Sequence, residues 1–100
     1  MLTQKIILDR IHANIDTVKS FGVKKIGLFG SYLRDEQKPE SDVDILVEFE
    51  PGKKSFDNYM ELKFYLEDLT GNKIDLVIAE TVKPELKPYI LGSVKYVQGL

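Results

Sequence analysis

One segment of this 100-residue chain constrains its fold more than any other, because it alternates like a β-strand and carries acidic residues along one side. Residues 42–49 read DVDILVEF, and a period of two would place Asp42, Asp44 and Glu48 on one face. Aspartate is depleted in strands, so two at the start of one strand favour a functional site over simple solvation, although D-x-D alone is common. The apolar residues on the other face are Val43, Ile45, Val47 and Phe49.

Hydrophobic periodicity and turn residues place the other elements around this strand. Apolar residues at helical spacing predict a helix over 3–21, with Thr3 as its N-cap and Gly22 just past its end. Pro84 suits the first turn of a short last helix. After the first helix, the predicted elements in chain order are strands near 23–29 and 42–49, a helix at 56–70, a strand near 73–79, the short last helix near 84–91 and an edge strand over 94–97.

This order of elements predicts an α/β fold, with a mixed three- to four-stranded sheet and helices covering one face. We expect a single small domain over 1–100, because a chain of this length can build one core but not two. A composition of 43% hydrophobic and 30% charged residues is that of a globular domain, not a disordered chain. The acidic face of the sheet would remain open.

Composition argues against several classes of protein. With no cysteine and one histidine, the chain cannot form disulfides and lacks the ligands of a structural zinc site. The net charge of -2 lacks the basic footprint of a nucleic-acid-binding protein. The N-terminal segment is amphipathic and has no long apolar run, so we expect a cytoplasmic protein that does not enter a membrane.

A third carboxylate, Asp75, falls on the acidic side of the strand predicted at 73–79. If the strands pair in register, it converges with Asp42 and Asp44. Two such charges about 4 Å apart repel by about 4 kcal/mol at an effective dielectric of about 20, and a divalent cation would turn that repulsion into binding. Oxygen ligands favour Mg²⁺, with Mn²⁺ also suitable, and two ions can clamp the oxygens of a phosphoryl displacement. For Asp75 by itself, solvation of an exposed face explains the residue equally well.

A glycine-serine pair, Gly30-Ser31, follows the strand predicted at 23–29 and is expected to open a helical turn at 32–34. Glycine permits close approach of the backbone to a phosphate, and amide groups at a helix start attract anions. The Ser31 hydroxyl adds a donor. Taken alone, the pair is better explained as a simple turn at the end of a strand.

Together, Gly30-Ser31 and, ten residues later, Asp42-Val43-Asp44 resemble the signature of the polymerase-β-like nucleotidyltransferase superfamily. The longer stretches LFGSYLRDEQKPESDVDILVEF and LEDLTGNKIDLVIAE are similar to the small MNT-type nucleotidyltransferases, the antitoxin components of HEPN–MNT toxin–antitoxin systems. The resemblance covers 23–97, most of the chain. The combined motif is far more specific than either of its parts.

The resemblance implies an enzyme that uses ATP and Mg²⁺, with two ions bound. It also implies a partner, a HEPN-family RNase toxin, whose tyrosine hydroxyl receives AMP while pyrophosphate is released. The implied catalytic and metal-binding residues are Asp42, Asp44 and Asp75. The implied nucleotide-binding residues are Gly30, Ser31 and Arg34, although a solvent-exposed loop position explains Arg34 at least as well.

Two positions near the turn are less settled by the resemblance. The family often has glycine after the arginine, but here Asp35 follows Arg34, which leaves the shape of this loop open. Tyr32 has two alternatives: its ring stacks on a nucleotide base, or it is buried against the first helix.

Other functions fit parts of the pattern. The chain could neutralise a toxin by occlusion alone, with an idle metal site. A nucleotidyltransferase acting on a small molecule is disfavoured, because larger relatives carry an extra domain for that acceptor. Addition of nucleotides to RNA is disfavoured by the acidic charge. Homo-oligomerisation is left open, and the preference for ATP over other nucleotides rests on the resemblance.

Overall fold

The computed structural model describes residues 2–100 and contains one four-stranded sheet. Its strands are β1 (Val23–Phe29), β2 (Val43–Phe49), β3 (Ile74–Ile78) and β4 (Lys95–Tyr96), in the order β3-β2-β1-β4. β1 is antiparallel to both of its neighbours, whereas β2 and β3 are parallel. The predicted small α/β fold with a mixed sheet is therefore confirmed.

β2 is an interior strand, and the alternation that identified it sets its two faces. Val43, Ile45 and Val47 are buried on one face, where they form the floor of the main core. Full burial of such a side chain contributes about 2 kcal/mol. Asp44 and Glu48 point to the other face and are only half-buried. The acidic residues of β2 are thus held by the burial of their immediate neighbours.

Helices cover the core face of the sheet. The longest is α3 (Phe56–Thr70), which buries Leu62 and Leu66. Its start is capped by Ser55, whose hydroxyl accepts a hydrogen bond from the Asn58 backbone at 3.1 Å. It ends at Gly71, whose left-handed conformation is the usual C-terminal signal.

The single helix predicted over 3–21 is wrong in one respect: the segment forms two helices, α1 (Gln4–Ala13) and α2 (Ile15–Ser20). The break is at Asn14, whose backbone has φ -116° and ψ 27°. Its side-chain amide donates to the Arg10 carbonyl at 2.8 Å and competes with the helical backbone for that acceptor. Apolar spacing alone could not reveal this break.

The opposite sheet face is not entirely open, contrary to our expectation. A short 3₁₀ helix (Ala79–Thr81) and α4 (Lys87–Leu91) lie over part of it, and α4 begins later than the predicted residue 84. Ala79, Val82 and Leu46 form a second, smaller apolar cluster there. The uncovered part is the end where β1 finishes and β2 and β3 begin. None of the helices within 2–100 is long and apolar enough to cross a membrane.

We expect Leu62→Ala to lower the free energy of unfolding by about 3 kcal/mol, because it leaves a cavity under the sheet. Phe64→Ala, on the exposed side of the same helix, should change it by less than about 0.5 kcal/mol. Urea denaturation followed by circular dichroism measures both values. Equal losses in the two variants would contradict this assignment of the core.

Candidate active site

Two of the predicted carboxylates are brought together by strand register. Asp44 and Asp75 are directly opposed in the parallel β2–β3 pair and lie within hydrogen-bonding reach of each other. Asp44 is half-buried and Asp75 is exposed. The pairing follows from the sequence, because each aspartate is the second residue of its strand, next to a buried apolar residue.

The electrostatics of this pair are unfavourable in the absence of a counter-ion. Burial raises the pKa of Asp44 from 3.8 to about 6, and the charge and hydrogen bond of Asp75 and the charge of Asp42 add to the effect. Only the Arg34 charge opposes it. This corner of the sheet therefore holds more negative charge than its own cations balance.

The third predicted carboxylate is not part of the close pair. Asp42 precedes β2, is exposed and influences Asp44 through its charge. Within 2–100, no three histidine, cysteine or acidic side chains are gathered around one ion position. The donors nevertheless fit a hard divalent cation, because they are all carboxylate oxygens in a site with excess negative charge. The residues that would hold it are Asp44 and Asp75, with Asp42 beside them.

Gly30 closes one side of this site, and no other residue fits its position. Phe29 pairs with Asp44 in the sheet, so the chain leaves β1 directly against that carboxylate. A Cβ on residue 30 would overlap Asp44 Oδ2 and lie 2.8 Å from its Cγ. The φ of 76° is also one that favours glycine. Gly30 thus allows the backbone turn and the carboxylate to be in contact.

The turn that follows is not the helix start that the sequence suggested. Arg34 N donates to the Gly30 carbonyl at 3.2 Å and Glu36 N to the Ser31 carbonyl at 2.9 Å, and 31–35 form consecutive turns. Ser31 is half-buried and directly follows Gly30, whose backbone lies against Asp44, but turns and not a helix follow it over 31–35. Any anion held there would depend on the turn itself.

Arg34 lies at the rim of the site. Its guanidinium donates to the Glu36 carboxylate at 2.7 Å, and both side chains are more than half exposed. Such a surface ion pair contributes about 0.5 kcal/mol or less, so Arg34 can leave it for a stronger anion. Asp35 adopts a left-handed backbone with φ 55°, the conformation for which glycine is favoured. The loop keeps a glycine-like shape despite the aspartate.

Tyr32 is buried, which decides between its two alternatives. The residue is 3% exposed and belongs to the main core, so its ring does not offer a face to a nucleotide base. Its hydroxyl accepts a hydrogen bond from the side-chain amide of Asn72 at 2.9 Å. Sequence reasoning missed this contact, because Asn72 stands in an ordinary Gly-Asn turn forty residues away.

Residues 14–97 match the family model described as a nucleotidyltransferase domain. The chain belongs to this family. Among its relatives is the protein adenylyltransferase MntA of Thermococcus cleftensis, which is 48% identical over 77 residues, or 77% of each chain. The predicted family and enzyme class are thereby confirmed.

Solved structures share the nucleotidyltransferase fold. One described as a minimal nucleotidyltransferase has a TM-score of 0.72 and 32% identity, over 88% of this chain and 93% of that one. A chain from the complex of a tri-AMPylated Shewanella oneidensis HEPN toxin with MNT antitoxin has a TM-score of 0.64 and 21% identity, over 93% and 73%. At that identity, the second likeness concerns the fold alone.

We predict that Gly30→Ala lowers the free energy of unfolding by about 3 kcal/mol, because the new Cβ is both strained and in conflict with Asp44. The matched control is Gly52→Ala, where φ is 80° but no atom lies within 4 Å of the added Cβ. The control should lose about 1 kcal/mol, from backbone strain only. Urea denaturation of both variants measures the difference, and equal losses would show that the Asp44 contact is unimportant.

The stability of the protein should depend on pH through the Asp44 carboxyl. Because the folded pKa of Asp44 is about 6, above its ordinary 3.8, the stability linked to its protonated form is present below about pH 4 and lost as pH rises through 6. Asp44→Asn should therefore stabilise the metal-free protein at pH 8 by about 1 kcal/mol, a value reduced for screening of this partly exposed group. At pH 4 the gain should be smaller.

Urea denaturation at the two pH values, with a chelator present, measures this effect. Glu61→Gln, on the exposed side of α3, serves as the control and should change stability by less than about 0.5 kcal/mol at both. Adding Mg²⁺ should reduce the difference in free energy of unfolding between Asp44→Asn and wild type, because the cation would stabilise only the wild-type carboxylate. A variant that is less stable than wild type at pH 8 would contradict the repulsion.

Proposed function

We propose that this chain is a Mg²⁺-dependent protein adenylyltransferase that transfers AMP from ATP to a tyrosine hydroxyl of a partner HEPN RNase toxin, and so acts as its antitoxin. The observation that carries the proposal is the contact between the Gly30 turn and the Asp44–Asp75 pair at one open corner of the sheet. A phosphate-binding turn and a cation-binding pair would there act on the same nucleotide. We place this reaction in the cytoplasm.

The reaction is an in-line displacement. The acceptor oxygen forms a bond to the α-phosphorus of ATP, the bond to the β-phosphate breaks, and pyrophosphate leaves. Magnesium, when bound, supplies neutralisation of the phosphate charges. Asp44 and Asp75, with Asp42 beside them, would hold the cations, and the site would lower the barrier mainly by positioning and electrostatics.

The other residues of the site orient the substrates. Gly30 and Ser31 receive the triphosphate, and Arg34 exchanges Glu36 for a phosphate oxygen. Asp75 is the more exposed of the paired carboxylates, so it faces the incoming hydroxyl and takes its proton. The exposure of this corner leaves room for a protein acceptor to approach.

Two likenesses support the choice of acceptor. MntA of Thermococcus cleftensis is a protein adenylyltransferase, and it is similar to this chain over 77% of its length. The Shewanella complex contains a tri-AMPylated HEPN toxin together with MNT antitoxin. A chain with this fold and a paired carboxylate site is suited to the same chemistry.

The test is to mix the purified chain with ATP, Mg²⁺ and the product of the adjacent gene, and to record the intact masses of both proteins. We expect one or more AMP units on the partner. Asp42→Asn/Asp44→Asn, or removal of Mg²⁺, should abolish the transfer. The control Asp57→Asn/Glu61→Gln changes the same net charge on α3 and should leave it unchanged.

Two results of this experiment would contradict the proposal. A tight complex without any gain in mass, with all four nucleotides, would favour neutralisation by occlusion over catalysis. Equal transfer by the Asp42→Asn/Asp44→Asn variant would remove the proposed role of these carboxylates.

A further inference from the structure

The Tyr32 hydroxyl lies where three segments of the proposed site meet. The tyrosine directly follows Ser31, and its ring is anchored in the core. Its hydroxyl accepts from Asn72 Nδ2 at 2.9 Å and donates to the Ser41 carbonyl across a longer 3.5 Å. Ser41 and Asn72 belong to different loops, so this one oxygen contacts both.

Each of these loops leads into a carboxylate of the site. Ser41 immediately precedes Asp42, and Asn72 lies three residues before Asp75. The two loops also meet through the backbone, because Val43 N donates to the Lys73 carbonyl at 2.9 Å. The hydroxyl is therefore positioned to fix the entry of both β2 and β3.

Both contact residues are themselves held in place. The Ser41 hydroxyl accepts from Lys38 N at 2.9 Å, and Ser41 N donates to the Lys38 carbonyl at the same distance. Asn72 Oδ1 accepts from Lys73 N at 2.7 Å. Each loop is thus held locally by its own bonds, and the Tyr32 hydroxyl contributes the link between the two loops.

Core packing does not require this hydroxyl. A phenylalanine ring would fill the same space, and burying a hydroxyl is unfavourable unless it is hydrogen-bonded. The Tyr32 hydroxyl is therefore explained by its contacts with Asn72 and Ser41 and not by core packing.

We propose that Tyr32 is a positioning residue of the active site, which, with Asn72, sets the spacing between the Gly30-Ser31 turn, Asp42 and Asp75. This inference rests on the proposed function, since it concerns the same site. Catalytic groups must be held to within about 0.5 Å, and loss of a partner that orients a metal ligand typically costs about tenfold or more in activity or metal affinity. Tyr32 acts on the segments that carry the carboxylates, so we expect its loss to fall at the lower end of that range.

The test compares Tyr32→Phe with Tyr59→Phe. Tyr59 on α3 provides a matched control, because its hydroxyl also donates to a backbone carbonyl, that of Leu76, at 2.6 Å. Each variant loses one hydroxyl. Tyr59→Phe loses the 2.6 Å bond to a backbone carbonyl, and Tyr32→Phe loses the 2.9 Å bond from Asn72 together with the longer contact to Ser41. Only the Tyr32 hydroxyl joins the loops of the site. We expect Tyr32→Phe to lower kcat for AMP transfer about tenfold, with KM for ATP changed less than about threefold.

A second readout does not depend on turnover. Mn²⁺ binding, measured by isothermal titration calorimetry, should weaken about tenfold in Tyr32→Phe and stay within about twofold of wild type in Tyr59→Phe. Asn72→Ala leaves the ring in the core and should reproduce both losses. The double variant should lose less than the sum of the two single losses, because both single variants remove the Tyr32–Asn72 bond. Each also removes one further contact, that of Tyr32 with Ser41 or that of Asn72 with Lys73 N.

The outcomes separate this inference from the proposed function. If Tyr32→Phe and Tyr59→Phe have the same kcat and the same Mn²⁺ affinity, the inference is overturned but the proposed function is not. Additive losses in the Tyr32→Phe/Asn72→Ala double variant would have the same consequence. Wild-type protein that binds Mn²⁺ but transfers no AMP would overturn the proposed function, while weaker Mn²⁺ binding by Tyr32→Phe would still support the inference. Wild-type protein that does neither would overturn both.

Discussion

The contact between the Gly30 backbone and the Asp44 carboxylate is the constraint on which the site depends. It exists because β1 pairs with β2 so that Phe29 faces Asp44, and the chain must turn away immediately afterwards. Any side chain on residue 30 would occupy the space of the carboxylate. On its other side, β2 pairs in parallel with β3 and brings Asp75 next to Asp44. One interior strand thus assembles the turn and the carboxylate pair from three separate parts of the chain.

This arrangement is electrostatically costly, and the core beneath it supplies the compensation. Asp44 has a pKa of about 6 because it is partly buried among like charges. Its chain neighbours Val43 and Ile45 are completely buried on the opposite face. Because alternation ties the two faces together, Asp44 cannot move away from Asp75 without exposing these residues to water. The apolar face therefore holds the acidic face in a geometry that the charges themselves oppose.

Sequence patterns correctly predicted the features that depend on local spacing, but they did not predict contacts between residues that are distant in the chain. Alternation along 42–49 placed Asp44 correctly, and apolar periodicity predicted α3 over 56–70, the bounds that it has. The break at Asn14 was missed, since a side-chain hydrogen bond overrides the apolar spacing. The cluster around Leu46 was missed because it depends on a C-terminal segment that periodicity does not direct to either face. The Tyr32–Asn72 bond joins residues forty positions apart, and neither residue type signals it.

The loop after the turn shows why a departure from the family pattern is tolerated. Asp35 takes a left-handed conformation that costs an ordinary residue about 1 kcal/mol, at the position where the family resemblance led us to expect glycine. The backbone on either side is fixed independently of this residue: Glu36 N donates to the Ser31 carbonyl, and Lys38 and Ser41 bond to each other. Strain of this kind persists where the surroundings over-determine the conformation. The shape of the loop is therefore set by its hydrogen bonds and by the anchored Tyr32. The chain can accommodate an aspartate at position 35, but it cannot accommodate a side chain at position 30.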